Sequence, residues 1–327
     1  MKRLGRRGVL ASTAAVLGIS AAPIRAQNAF PRGPIRLFVG LSAGGSADFV
    51  ARLLAEKLHE RTGVTVIVEN KPGSGGVIAT EAVTKMPPDG TAIVLAGMVA
   101  TVMAKLTYAK LPYDPMTDLA PISLVSTFQL AMAITPSLPV DGMATFVAWA
   151  KANPALTSYG IPGPGGHSHF FGLMLGRAIG VDMQAVPYKG AAPMIADLSA
   201  DQIKVGISAL ADFYGSYKAG KVRLLATSGR ERSLSAPELP TFVESGYADL
   251  VGDGWLGLYA PPHTPLPITS ALSAEVSAIL ALPDIRDRII TIGMEPRAST
   301  PAGLAEFDQA EFKKWQPIVA ASGFKVE

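Results

Sequence analysis

"PIRLFVGLSAGGSADFVARLLAEKLHERTG", residues 34–63, decides the fold. Its first seven residues form a run of large apolar side chains of strand length, and residues 46–62 carry apolar residues at helical spacing. Phe49, Leu53, Leu54, Ala55 and Leu58 fall on one face of that helix, and Gly63 suits its C-cap. Between strand and helix stands Gly44-Gly45-Ser46. A glycine turn at the carboxyl end of a buried strand aims the first amides of the next helix outward. Those amides lack an intrahelical partner and carry partial positive charge, so an anion is favoured in front of them. Nucleotide loops are excluded in detail: no Lys follows the glycines, and their spacing is not G-x-G-x-x-G. Ser46 fits an N-cap and Asp48 a first-turn acid, while the backbone of the same loop suits a contact to a bound anion.

Further along, "VTVIVEN" (64–70) reads as a second strand, "KPGSGG" as a turn, Val77–Lys85 as a helix, and "TAIVLAG" (91–97) as a third strand after the tight turn "PPDG". Strand–helix–strand at this spacing predicts a parallel sheet. The rhythm then restarts. "PISLVSTFQLAMAITP" (121–136) reads as one long extended segment, followed by a helix around Met143–Asn153 and a strand ending at "TSYG". "IPGPGG" precedes a helix from His167 to Gly180, so the strand–glycine–helix device occurs twice. Strands at 202–208, 222–229 and 255–262 follow, with two last helices over Pro267–Leu282 and Pro301–Ala321. Two α/β units result, with the C-terminal segment packed back on the first. Chain crossings near 125–134 and 245–256 act as the hinge, and the cleft between the units is the expected ligand site.

Composition bounds the function. "MKRLGRRGVLASTAAVLGISAAPIRA" has a basic start with Arg6-Arg7, an uncharged run and a small-residue exit, the pattern of a twin-arginine export signal over residues 1–26 cleaved after Ala26. Five of the 29 basic residues and none of the 26 acidic ones lie in it, leaving a mature chain with 24 basic against 26 acidic residues. That balance excludes a basic nucleic-acid surface. With no cysteine, disulfides and thiol nucleophiles are absent and a metal would need His and carboxylates. His167 and His169 form an H-x-H pair, but only His59 and His263 remain elsewhere, so no metal site and no cofactor is expected. "GHSHF" begins like a nucleophile elbow, yet Phe170 replaces the last glycine, which weighs against Ser168 as a nucleophile. His169, in the first turn, is left as a hydrogen-bonding partner of a ligand or of a loop carbonyl, or as a plain structural histidine. Glu69 and Asp89 more simply end a strand and make a turn, Lys189 suits a solvated turn, and Trp255 with Tyr259 suits packing at the hinge. No catalytic residue emerges.

The segments "PIRLFVGLSAGGSADFVARLLAEKL", "VIVENKPGSGGVIATEAVTKMPPDG", "KLPYDP", "SYGIPGPGGHSH", "VPYKGAAPMIADLSADQI", "KAGKVRLLATSGRERS", "ELPTFVESG" and "WLGLYAPPHTP" occur in an order that resembles the substrate-binding proteins of tripartite tricarboxylate transporters, the Bug/TctC family. The similarity covers residues 31–327. It implies an α/β, two-domain periplasmic-binding-protein fold (type II, flytrap) with residues 27–128 and 249–327 in domain I and 129–248 in domain II. It also implies a periplasmic monomer without a cofactor that captures a small organic acid and presents it to integral membrane permease subunits. By position, the family's ligand loops fall on Leu41, Ser42, Ala43, Gly44, Gly45, Ser46 and Asp48; on Met98, Ala100 and Thr101; on Ile161, Gly163, Gly165, Gly166 and His169; and on Ser208 and Ala209. Two departures stand out. Gly40, Leu41 and Ser42 replace the family's proline-flanked aromatic, and Ser208 stands where an Asp is common. Loss of that acid disfavours a ligand ammonium, so a plain carboxylate is expected rather than an amino acid. A sensor subunit serving a membrane kinase and an exported serine hydrolase are the alternative functions.

Overall fold

The structure, a computed structural model, describes residues 30, 31 and 33–326. The export signal and its Ala26 exit lie outside the described residues.

Two lobes are each built on a twisted sheet. The first sheet holds β1 (Ile35–Val39), β2 (Val66–Asn70), β3 (Ala92–Gly97), β4 (Ala120–Phe128), β10 (Gly254–Ala260) and β11 (Glu295–Pro296) in the order β11-β4-β10-β3-β1-β2. The second holds β5 (Leu130–Ile134), β6 (Tyr159–Ile161), β7 (Ala185–Pro187), β8 (Val205–Ala209) and β9 (Arg223–Thr227) in the order β7-β6-β8-β5-β9. Both sheets have the same plan. Three parallel strands are followed by one antiparallel strand, β10 or β5, that has just crossed from the other lobe. The α/β two-domain architecture predicted from the strand–helix rhythm is therefore present.

Three helices cover the outer face of the first sheet: α1 (Ser46–Thr62), α8 (Leu266–Leu280) and α9 (Pro283–Thr291). Strand alternation does the sorting. Ile35, Leu37 and Val39 of β1 pack with Val50, Leu54 and Leu58 of α1, while Phe38 faces the other side. On that inner side lie α2 (Val77–Thr84), α3 (Ala104–Thr107) and α10 (Pro301–Ser322). The inner core runs on into the second lobe, where Phe170 and Phe171 of α5 (His167–Ile179) join Trp255 and Trp315. At this junction a side chain on Gly252 would meet the Phe171 ring at 2.4 Å, so backbone and ring are in direct contact. The second lobe is completed by α4 (Met143–Ala152), α6 (Ala191–Ser199) and α7 (Leu210–Lys218).

Two local readings are corrected. The extended segment 121–136 is not one strand: it breaks at Gln129, and its halves, β4 and β5, enter different sheets. The buried Gln129 side chain donates to the Glu231 carbonyl across the crossing, a partner that no local pattern announces. The C-terminal region has three helices rather than two, because Leu282 turns extended and Pro283 starts α9 at the position where its missing N–H costs nothing. Phe49 is only half-buried, with the Arg288 guanidinium 5.6 Å above its ring. Among the described residues no single helix is long and apolar enough to cross a membrane.

Candidate ligand-binding site

The two glycine loops are built alike. Gly44 and Gly165 both have positive φ, 83° and 74°, a conformation that glycine alone adopts without strain. Each is followed by an extended glycine, Gly45 or Gly166, that serves as N-cap without any side-chain cap bond. The third residue of each helix then reaches back. Asp48 Oδ2 accepts the Gly44 N–H at 2.9 Å, and His169 Nδ1 accepts the Gly165 N–H at 3.2 Å. Thus Asp48 and His169 shape the loops rather than cap their own helices. The amides left without helical partners are those of Ser46, Ala47 and Asp48 on α1 and of His167 and Ser168 on α5.

Their electrostatics differ. The Arg52 guanidinium, 3.0 Å away, and the Gly44 amide hold the buried Asp48 carboxyl down at about 2, so it is ionised. His169 stacks on Phe170 and meets Phe324 edge-on, and burial lowers its imidazole below the ordinary value. His167 is the more perturbed: burial pushes it down to about 4, its Nε2 is buried without a partner, and Phe128 lies edge-on 5.5 Å away.

Both helix starts open on one chamber of about 240 Å³. Its walls come from the first lobe (Leu41, Ser46, Ala47, Met98, Trp255), from Phe128 at the crossing, and from His167 of the second lobe. Gly40 and Gly76 press their backbones together at its edge: a side chain on Gly40 would lie 2.4 Å from the Gly76 Cα, so only glycine fits. An outer hollow of about 710 Å³ shares Leu41, Gly75, Val99 and His167 with the chamber and is lined by Gly163, Gly165 and Gly166. A larger hollow of about 840 Å³ beside Phe30 and Arg61 lies at the amino ends of β1 and β2, away from both glycine loops. In open α/β sheets the carboxyl ends, where the glycine loops are, carry the ligands.

Several residues named from the sequence stand elsewhere. Ser42, Ala43, Gly44 and Gly45 are exposed on the loop but do not line either hollow. Ala100, Thr101 and Ile161 are buried behind the walls, and the Ala100 carbonyl accepts the Tyr113 hydroxyl at 2.8 Å. Ser208 and Ala209 line neither hollow, and the Ser208 hydroxyl donates to Asp212, whose carboxyl burial pushes up. An acid is thus present four residues beyond Ser208. Gly75, Val99, Phe128 and Met294 also line the chamber without having been named, while His167 had been weighed only as half of a metal pair and Trp255 only as hinge packing. "KPGSGG" offered a signal for the first, since three of its glycines adopt positive φ, but Phe128, Trp255 and Met294 come together only through the sheet. Trp255 does pack at the crossing, 5.0 Å from Phe307, and it also walls the chamber. Glu69 pairs with Arg36 and Asp89 closes its turn on Thr91, as expected of structural acids. Among the described residues no His, Cys, Asp or Glu cluster is placed to hold a metal.

Residues 50–324 match the tripartite tricarboxylate transporter family receptor. The chain belongs to this family. A protein of the gbd 5′ region of Cupriavidus necator is 33% identical over 98% of this chain and 97% of its own. An R. palustris protein with adipate superposes with a TM-score of 0.80 at 30% identity, covering 90% of this chain and 99% of its own. MatC from Rhodopseudomonas palustris with bound malate gives 0.74 at 27% identity, covering 89% and 100%. The chain is accordingly a solute-binding receptor of this family and not an enzyme, which disposes of the Ser168 hydrolase reading.

Proposed function

We propose that the chain captures a small carboxylate in the cleft between its lobes and delivers it, as a periplasmic monomer exported by the residues 1–26 signal, to an integral membrane permease. One observation carries this reading: the free amides of α1 and α5, one helix from each lobe, converge on a single chamber with His167 Nε2 buried and unpartnered beside them. An anion placed there gains hydrogen bonds from both lobes only when they are together, so it favours the closed arrangement by its differential affinity. Charge-assisted bonds of this kind reach micromolar affinity, about −8 kcal/mol, without any covalent step. Adipate and malate in two structural relatives support a carboxylate ligand. In this reading residues 27–128 with 249–327 move against residues 129–248. Of the loops named from sequence, Leu41, Ser46, Met98, Gly163, Gly165 and Gly166 line the ligand's path.

Titration calorimetry with a panel of mono- and dicarboxylates tests it, using His167→Ala and His167→Pro. Gly166 is extended, so proline at the first position of α5 keeps the helix while deleting the amide. Affinity is expected to fall on removing the imidazole and about tenfold further with proline. Failure of every acid to bind, or wild-type affinity in His167→Pro, refutes the proposal.

A further inference from the structure

We propose that the cleft selects acids bearing a single carboxylate on an apolar body about one ring in size, and discriminates against diacids. This rests on the carboxylate reading above and narrows it. Electrostatic asymmetry is the first support. The start of α1 already holds a negative charge of its own in Asp48, buried and bonded to the Gly44 amide. The equivalent position on α5 is His169, whose Nδ1 is engaged as an acceptor and therefore carries no proton. The dipole of α5 is left uncompensated while that of α1 is largely answered. One anionic group has a place beside His167, and a second, placed at the start of α1, lies in the field of Asp48, which is buried behind the loop and lines neither hollow.

The walls agree. Among the described residues none that lines the inner chamber is charged, and its far side is Leu95, Phe128, Leu256 and Met294. Of the nearby cations, Arg52 is bonded to Asp48 and Asn70, and Lys325 stands on the outer hollow rather than the chamber, donating to the Leu106 carbonyl. A second carboxylate against those walls loses hydration without gaining a counter-charge. Size is compatible as well, since the chamber of about 240 Å³ exceeds the roughly 150 Å³ apolar cavity that accepts benzene. Trp255, fully buried, adds a flat apolar wall to the chamber.

Calorimetry of the mature chain with benzoate, phenylacetate, adipate and malate decides the matter. Benzoate or phenylacetate is expected to bind at least tenfold tighter than either diacid. Adipate or malate binding as tightly as the aryl acids overturns the selectivity while leaving carboxylate capture intact. Heat from none of the four overturns capture itself, and the selectivity with it. In Asp48→Asn, which preserves shape and removes the charge, the gap between malate and benzoate is expected to narrow about tenfold; an unchanged gap overturns the inference.

Discussion

Removing Asp48 should destabilise the first lobe in a way that disappears in acid. Its carboxyl is held at about 2 against an ordinary 3.8, a difference of about 1.8 pH units, or roughly 2.4 kcal/mol at 1.36 kcal/mol per unit. The main partner, Arg52, has a side chain 55% exposed, and solvent screening there reduces the expected loss in Asp48→Ala to about 1–2 kcal/mol. For a chain of this size that corresponds to a Tm lower by about 2–3 °C at pH 7. The sign follows from the depressed pKa. The native state holds the charged form more tightly than the unfolded chain does, so the contribution is complete above pH 4 and drains away as pH falls toward 2. Thermal or urea unfolding of wild type, Asp48→Asn and Asp48→Ala from pH 7 down to 2 reads this directly. Asn, which keeps an acceptor for the Gly44 amide, should fall between the other two at pH 7, and all three should approach one another near pH 2. A deficit that stays the same at pH 2 and pH 7 would mean that packing, not the charge pair, holds the loop.

His167, pushed down to about 4 by burial, stays neutral in the native chain while the unfolded chain protonates it near 6.5, so its site costs stability as pH falls from 6.5 to 4. His167→Ala should remove up to about 3 kcal/mol of that acid sensitivity, measured as Tm against pH. A carboxylate beside the imidazole raises its pKa, so ligand affinity should strengthen between pH 7 and pH 5 in wild type and stay flat in His167→Ala. Asp308 accepts from the buried Tyr259 hydroxyl at 2.9 Å, and burial raises its carboxyl to about 7. Its protonated form is favoured by folding, so stability should decline as pH rises from 4 through 7, and Asp308→Asn should flatten that decline in a pH series of melts. Gly172→Ala puts a methyl 2.0 Å from the Tyr159 ring, whose hydroxyl donates to the His169 carbonyl. It should cost about 1–3 kcal/mol and weaken ligand binding by shifting the start of α5.

Repeated local patterns fixed the architecture. Apolar runs of strand length, helical spacing beginning at Ser46 and at His167, and two glycine turns specify parallel strands feeding helices, because backbone geometry allows those residues little else. The loops around Gly44 and Gly165 were legible for the same reason: positive φ and an open N-cap are local demands. What each loop does with its amides was not. Asp48 had been open between capping and a place in the ligand loop, and His169 between a ligand, a loop carbonyl and a structural role; only their folded positions show each accepting from the amide of its own glycine loop. Tertiary structure also decided where the chain at Gln129 changes sheets, and which residues wall the chamber. Phe128, Trp255 and Met294 lie far apart in sequence and are joined by pairing of β4, β10 and β11, and sheet register across a crossover leaves no trace in the composition of any one segment.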